Sequence, residues 1–148
     1  MSYTQLLYHI IIRTKASKPT LSIEYSDDLY RYIWGIIKNY NSILYRINGV
    51  EDHIHLLTSI HPSISLADFI REIKVSTSKR LKQISGFEKF TGWGEGYAAL
   101  TYSAKDKDLI INYINNQREH HKKISFKEEY SEFLAQLGFT LDERYWER

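Results

Sequence analysis

Hydrophobic and polar positions follow one another along the chain in blocks that predict a definite order of strands and helices. β-branched and aromatic residues from Tyr3 to Arg13 predict a buried strand. After a polar loop that contains Pro19, apolar residues recur at helical spacing from Ser26, a predicted N-cap, to about Asn41. The runs ILYRINGV and EDHIHLLTSI then predict two strands joined near Asn48-Gly49 or Glu51-Asp52. This half of the chain therefore indicates a β-α-β-β order.

The next block predicts another helix and a fourth strand. Ser65 is a predicted N-cap with Asp68 three residues later, an approximate capping box. The helix continues through LADFIREIKVSTSKRLKQI, and the Gly-rich connection GFEKFTGWGEG leads into a strand that ends WGEGYAALTYS.

The last third of the chain predicts two more helices. Ser103 is expected to cap a helix from about Ala104 to Lys122. A short helix is expected over about Phe126 to Leu137 and ends at Gly138, after which FTLDERYWER predicts no element.

The resulting order, β-α-β-β-α-β followed by further helices, is the ferredoxin-like split pattern, an α+β fold with an antiparallel sheet. We expect the first two helices to cover one face of the sheet and leave the other for a site or for the third helix. No internal repeat or linker interrupts residues 1–148, so the sequence predicts a single domain.

Composition narrows the class of protein. The chain has 43% hydrophobic and 26% charged residues, close to an ordinary globular protein, which excludes a disordered tail or a fibrous repeat. A Cys count of 0 excludes a disulfide scaffold and every Cys-based zinc site. No apolar run approaches the roughly 20 residues of a membrane span, and the N-terminus lacks a signal-peptide pattern. We therefore expect a cytoplasmic protein with no membrane partner.

The net charge of +2 is small, but it is unevenly distributed. Residues 1–124 carry 17 Lys and Arg against 12 Asp and Glu, whereas residues 125–148 carry 3 against 6. The candidate DNA-binding side chains lie in the helix after Ser65 and in its C-terminal flank, and they form either a solvated face or contacts to a phosphate backbone: Arg71, Lys74, Lys79, Arg80 and Lys82.

Two histidines on the third strand are the strongest candidate for chemistry. Strand side chains alternate, so His53 and His55 share one face and Ile54 points to the other. Two imidazoles at this spacing can hold one divalent cation; the alternative is a half-exposed pair without a metal. The remaining histidines are interpreted as a packed neighbour of the sheet (His9), a loop residue (His61) and helix-end residues that are either exposed or close to the site (His120 and His121).

Tyr113 and Gln117 form the second candidate pair, because positions i and i+4 lie on one helix face. An amide oxygen is a hard ligand and would complete a His-His-Gln set, for which Mg²⁺ or Mn²⁺ fits better than structural zinc. A cation beside Tyr113 would polarise a phosphodiester and offset the charge that develops when the phenol attacks it. The product would be a covalent phosphotyrosine.

These paired motifs on a ferredoxin-like frame resemble the single-tyrosine HUH transposases of the IS200-like (TnpA) insertion-sequence family. The resemblance covers nearly the whole chain. It extends to the segments YHIIIRT, NGVEDHIHLL, WGEGYAALTYS and NYINNQREHHKKISFKEEY.

The resemblance implies a function and a role for each motif residue. His53, His55 and Gln117 would be the metal ligands, and Tyr113 the nucleophile that forms a 5′-phosphotyrosine with single-stranded DNA and releases a 3′-OH. Members act as homodimers, often with the tyrosine helix of one subunit completing the metal site of the other. They recognise hairpins near the element's ends and use no nucleotide cofactor.

Three alternatives predict other features. An HUH-type nicking endonuclease of replication or transfer origins would share these residues, but the absence of a helicase or primase domain disfavours it. A non-catalytic single-stranded nucleic-acid-binding module would place stacking aromatics where this sequence has His53 and His55. A cupin-like metal hydrolase or oxygenase would be all-β, which the predicted helices exclude.

Overall fold

A computed structural model describes residues 1–148 and contains one four-stranded sheet. The strands are β1 (Leu7–Arg13), β2 (Ile43–Gly49), β3 (His53–Ser59) and β4 (Ala98–Thr101), in the spatial order β2-β3-β1-β4 with every pair antiparallel. This order is that of the ferredoxin-like fold, so the predicted fold class is confirmed.

Six α-helices surround the sheet, and none has the length and apolar character needed to span a bilayer. They are α1 (Ser26–Asn39), α2 (Leu66–Leu81), α3 (Lys107–Asn115), α4 (Gln117–His120), α5 (Phe126–Gln136) and α6 (Glu143–Trp146). Short 3₁₀ turns lie at Lys15–Ser17 and Ala104–Asp106.

Alternation along β3 sends its side chains to two different hydrophobic clusters. Ile54 and Leu56 pack with α1 and α2 in the main core. Leu57, on the histidine side, packs instead against Ile110 and Ile114 of α3. The predicted division of β3 is confirmed, and the face that carries the histidines is covered by α3 and α5 instead of open.

Several element ends differ from the prediction for local reasons. β1 begins at Leu7, not Tyr3, because its partner strand ends opposite Leu7, at Ser59. Ser26 is the first residue of α1 and not its cap; its hydroxyl donates to the carbonyl of Ile23 at 2.8 Å. The N-cap is Tyr25, which makes no side-chain capping bond.

The predicted turn and capping chemistry holds between β2 and α2. The hairpin turn lies at Val50–Asp52, where the N–H of Val50 donates to the carbonyl of His53 at 3.1 Å. Of the two proposed turn sites, Glu51-Asp52 is therefore correct. Ser65 caps α2 as expected, because its hydroxyl accepts the N–H of Asp68 at 3.1 Å.

The single helix predicted for residues 104–122 is wrong. A 3₁₀ turn precedes α3, and Asn116 separates α3 from α4. Ser103 does not cap a helix, because its hydroxyl donates to the carboxylate of Asp106 at 3.2 Å. Gly138 ends α5 with a φ of +83°, as expected, but the tail predicted to lack structure forms α6.

We expect Gly49→Ala to destabilise the protein, because β2 and β3 approach closely where the hairpin turns. A Cβ on Gly49 would lie 2.4 Å from the carbonyl oxygen of His53 and 2.9 Å from the Cα of Ile54. Both are backbone atoms that cannot rotate away, so the substitution should lower the free energy of unfolding by about 2 kcal/mol or more. Urea unfolding measures this change.

Gly35→Ala is the matched control, since Gly35 lies within α1 and a methyl group added there would have no atom within 4 Å. Alanine is the better helix former, so this variant should gain roughly 0.5–1 kcal/mol. Equal unfolding midpoints for Gly49→Ala and the unsubstituted protein would contradict the steric argument.

Candidate metal and nucleophile site

Three histidines of the sheet meet on the face covered by α3 and α5. His53 and His55 of β3 point the same way, as predicted, and both are fully buried. His9 of β1 lies beside them and its Nε2 is 2.7 Å from Nδ1 of His55. The interpretation of His9 as a packed neighbour is correct, and the structure adds that it is the direct hydrogen-bond partner of His55.

Tyr113 and Gln117 reach the same place although they belong to different helices. The Tyr113 hydroxyl donates to Oε2 of Glu129 on α5, and Nε2 of Gln117 lies 3.4 Å from that same oxygen. The ring centroids of Tyr113 and His55 are 5.8 Å apart. A single chain therefore brings Tyr113 next to its own His55, and the four predicted motif residues gather in one site.

Glu129 is the centre of this site and was not among the predicted residues. Its side chain is 3% exposed. Oε1 faces three imidazole Nε2 atoms, at 3.2 Å for His55, 3.7 Å for His53 and 3.4 Å for His121. Oε2 accepts the hydroxyl of Tyr113 and lies 3.0 Å from Nε2 of His120. The carboxylate thus divides its two oxygens between the imidazoles of the sheet and the tyrosine.

His121 also enters the site, so of its two interpretations, an exposed helix-end residue or a neighbour of the site, the second is correct. Its Nε2 lies 2.9 Å from Oε1 of Gln117. The sequence carries a signal for Glu129: Phe126, Glu129, Tyr130 and Phe133 recur at helical spacing, which puts a carboxylate inside the apolar stripe of α5. No comparable pattern distinguishes His121.

In His53 and His121, the hydrogen-bond partner of Nδ1 determines that Nε2 faces the centre of the site. Nδ1 of His53 lies 2.7 Å from the carboxylate of Asp52, and Nδ1 of His121 lies 3.0 Å from the carbonyl of Ile124. Both partners are acceptors, so both Nδ1 atoms carry the proton and, in the neutral rings, each Nε2 presents a lone pair inward. This is the arrangement of metal-binding histidines, whose second N–H is held by a carboxylate or carbonyl.

The inner atoms fit a divalent cation. Ligand atoms of His53, His55, His121 and Glu129 all lie within 4.8 Å of one another. Nε2 of His55 and Oε1 of Glu129 are buried without a hydrogen-bond partner, and Oε1 of Gln117 faces Nε2 of His53 at 3.4 Å. Electron-rich atoms converging in a buried space need positive charge between them. Imidazole, carboxylate and amide donors are all established ligand types for divalent metals.

Burial and charge shift the protonation equilibria of these groups. Burial lowers the pKa of His9 to about 3 and that of His55 to about 4, so both are neutral near pH 7. Burial alone would raise the pKa of Glu129, but the imidazoles of His121 and His55 reverse this and hold it well below its usual range. Burial and the bond to Glu129 raise the pKa of Tyr113, so its phenol is protonated near pH 7.

The first residue of α5 covers the site on one side. The ring of Phe126 stacks on that of His53 with centroids 3.6 Å apart and planes 6° from parallel. Beside this stack lies a cleft of about 430 Å³, lined among others by His121, Arg118, Lys122 and Asp52. The edge of the cluster formed by His121 and Phe126 therefore borders a cleft that carries cationic side chains.

The five predicted DNA-binding side chains lie elsewhere. They belong to α2 or follow it, on the opposite face of the sheet from the histidines, so the structure does not bring them together with Tyr113. Lys74 donates to the carbonyls of Gly94 and Gly96 at 2.9 and 2.7 Å, and Arg71 pairs with Asp68 at 2.6 Å. The other three side chains have no carboxylate or carbonyl partner, and they stay predicted contacts to the phosphate backbone of DNA: Lys79, Arg80 and Lys82.

Proteins of similar sequence include insertion-sequence transposases. The family model "Transposase IS200 like" matches residues 2–117. The ISDra2 transposase TnpA of Deinococcus radiodurans is 29% identical over 122 residues, which cover 78% of this chain and 86% of that protein.

Two solved structures are also similar. The crystal structure of a candidate transposase from Deinococcus radiodurans R1 shares 27% identity at a TM-score of 0.59, covering 78% of this chain and 93% of the other. A REP-associated tyrosine transposase bound to a REP hairpin has a TM-score of 0.63 at 12% identity, covering 84% and 73%, which supports the fold alone.

Proposed function

Because the chain belongs to the family of IS200-like transposases, we propose that it cleaves and rejoins single-stranded DNA at insertion-sequence ends through a covalent tyrosine intermediate. The observation that carries this proposal is the position of Tyr113. Its hydroxyl is held by Glu129 beside His55 in one chain. A core-filling tyrosine would need neither a buried carboxylate nor three converging imidazoles.

The first step is a transesterification in which the number of phosphodiester bonds is conserved. Oη of Tyr113 attacks the scissile phosphorus, and its proton passes to Oε2 of Glu129, the atom that already accepts it. The P–O3′ bond breaks, and the leaving 3′ oxygen takes a proton from solvent. The products are a 5′-phosphotyrosine and a free 3′-OH. Rejoining is the reverse reaction with a 3′-OH of another strand.

Because the pKa of Tyr113 is raised, we propose that its phenol loses the proton only as it attacks the phosphorus. A free phenolate is absent near neutral pH, so attack and proton transfer have to be coupled. We propose Mg²⁺ or Mn²⁺ at the His53, His55 and Gln117 donors. When bound, the cation supplies positive charge that polarises the phosphodiester and offsets the charge of the transition state.

We propose single-stranded DNA with hairpins at the element ends as the substrate, without a nucleotide cofactor. Membership of the family supports this, as does the similarity in fold to a tyrosine transposase bound to a REP hairpin. The phosphate-contacting residues proposed are Lys79, Arg80 and Lys82, because Arg71 and Lys74 already have oxygen partners. A homodimer is proposed from the family, and light scattering of the purified protein with and without DNA measures it.

A labelled-strand assay tests the proposal. Single-stranded hairpin DNA carrying a label on either its 3′ or its 5′ end is incubated with the protein and Mn²⁺, and with EDTA as the control. Attack on phosphorus with loss of the 3′ oxygen predicts a protein-linked band only with the 3′ label. The 5′ label should give a shorter free strand that a polymerase can extend. Hairpins that bind without either product would favour the non-catalytic binding module.

A further inference from the structure

The part of the chain beyond the family match contributes two groups to the site. The match ends at residue 117, whereas His121 and Glu129 follow it and both point at the inner atoms of His53 and His55. A set of metal donors taken only from the matched segment would have no negatively charged member, since it consists of two imidazoles and an amide. The buried carboxylate therefore requires its own explanation.

We propose that Glu129 and His121 are ligands of the same divalent cation as His53 and His55, so that the cation fastens α5 to the sheet. The proposal rests on the proposed function in one respect, that the cation is the one that serves DNA cleavage. The proposed ligand set consists of the imidazoles of His53, His55 and His121 and the carboxylate of Glu129.

The two oxygens of the Glu129 carboxylate have different surroundings. Oε1 faces three imidazole Nε2 atoms at 3.2 to 3.7 Å and has no hydrogen-bond partner. Oε2 is already used by the hydroxyl of Tyr113. One oxygen is therefore free for a metal while the other holds the nucleophile, and a single carboxylate would fix the distance between the cation and Tyr113.

His121 is prepared for ligation in the same way as His53. Each has its Nδ1 proton held by an oxygen acceptor, Ile124 for the one and Asp52 for the other. This second bond orients the ring and makes Nε2 the better donor. In the neutral ring this bond leaves the lone pair on Nε2, the atom that lies toward Gln117 and Glu129.

A set of three imidazoles and a carboxylate also has a metal preference. Mg²⁺ is a hard ion that favours oxygen ligands and retains its waters, whereas Mn²⁺ is a transition metal and accepts nitrogen donors more readily. Between the two ions considered, Mn²⁺ should therefore bind more tightly than Mg²⁺, by about tenfold or more.

Titration calorimetry with Mn²⁺ on the full chain, without DNA, tests the role of Glu129. Glu129→Gln should raise the Kd by about 100-fold, a loss of the size expected for groups that tune a metal site. Glu132→Gln, an exposed carboxylate of the same helix, is the matched control and should leave the Kd unchanged. Equal Kd values for Glu129→Gln and the unsubstituted protein would overturn the assignment.

Two measurements keep the test independent of folding and of DNA cleavage. Pulsed EPR of Mn²⁺ bound to the unsubstituted protein should count three imidazole nitrogens, and two in His121→Gln; two in the unsubstituted protein would exclude His121. Amide exchange of α5 should slow when Mn²⁺ is added, and unchanged exchange would contradict the fastening. Failure of the covalent assay with these results intact would affect only the proposed function.

Discussion

Tyr113→Phe is expected to abolish the covalent protein–DNA band. The substitution removes one oxygen, the nucleophile of the proposed step, and no other hydroxyl replaces it at Oε2 of Glu129. Loss of a nucleophile reduces turnover by at least about 10³-fold, so adduct and 3′-OH product should both fall below detection on a denaturing gel.

The phenylalanine ring should keep the packing of the site. Tyr113 makes edge contacts to His9 and Phe133 with centroids 6.0 and 5.8 Å apart, and these involve the ring alone. Oε2 of Glu129 retains His120 at 3.0 Å. The unfolding midpoint should therefore change little. Tyr3→Phe, at an 89% exposed tyrosine, is the control and should cleave normally. An adduct that persists in Tyr113→Phe would assign the nucleophile to another residue.

The sequence predicted the parts of the site that depend on local periodicity. Alternation along β3 is a property of the strand itself, so the common face of His53 and His55 follows once the strand is identified. Tyr113 and Gln117 were expected side by side on one helix. They meet across a break at Asn116, because both side chains reach Oε2 of Glu129.

The sequence could not predict the parts that depend on how distant elements pack. Glu129 lies 74 residues after His55, and nothing local says that α5 turns its apolar stripe toward the histidine face. Without that packing, a glutamate in FKEEYSEFL is expected in water. The same uncertainty made His120 and His121 equivalent in the sequence, whereas in the structure only His121 has an acceptor for its Nδ1.

His53→Asn is expected to cause the second large loss, in both metal binding and cleavage. The shorter side chain cannot place a donor where Nε2 of His53 lies, 3.4 Å from Oε1 of Gln117 and 3.7 Å from Oε1 of Glu129. Removing one imidazole should raise the Kd for Mn²⁺ by about 100-fold or more. At a Mn²⁺ concentration that saturates the unsubstituted protein, the yield of covalent adduct should fall in proportion to occupancy.

His53 also stacks on Phe126, so its substitution could act through packing as well as through the metal. The dependence of adduct yield on Mn²⁺ concentration distinguishes the two effects. If ligation dominates, raising Mn²⁺ should recover part of the adduct in His53→Asn, since occupancy follows concentration. If packing dominates, the adduct should stay low at every concentration and the unfolding midpoint in EDTA should drop. His61→Asn removes an exposed histidine outside the cluster and should change neither the Kd nor the yield. A metal-independent adduct in His53→Asn would remove the cation from the proposed mechanism.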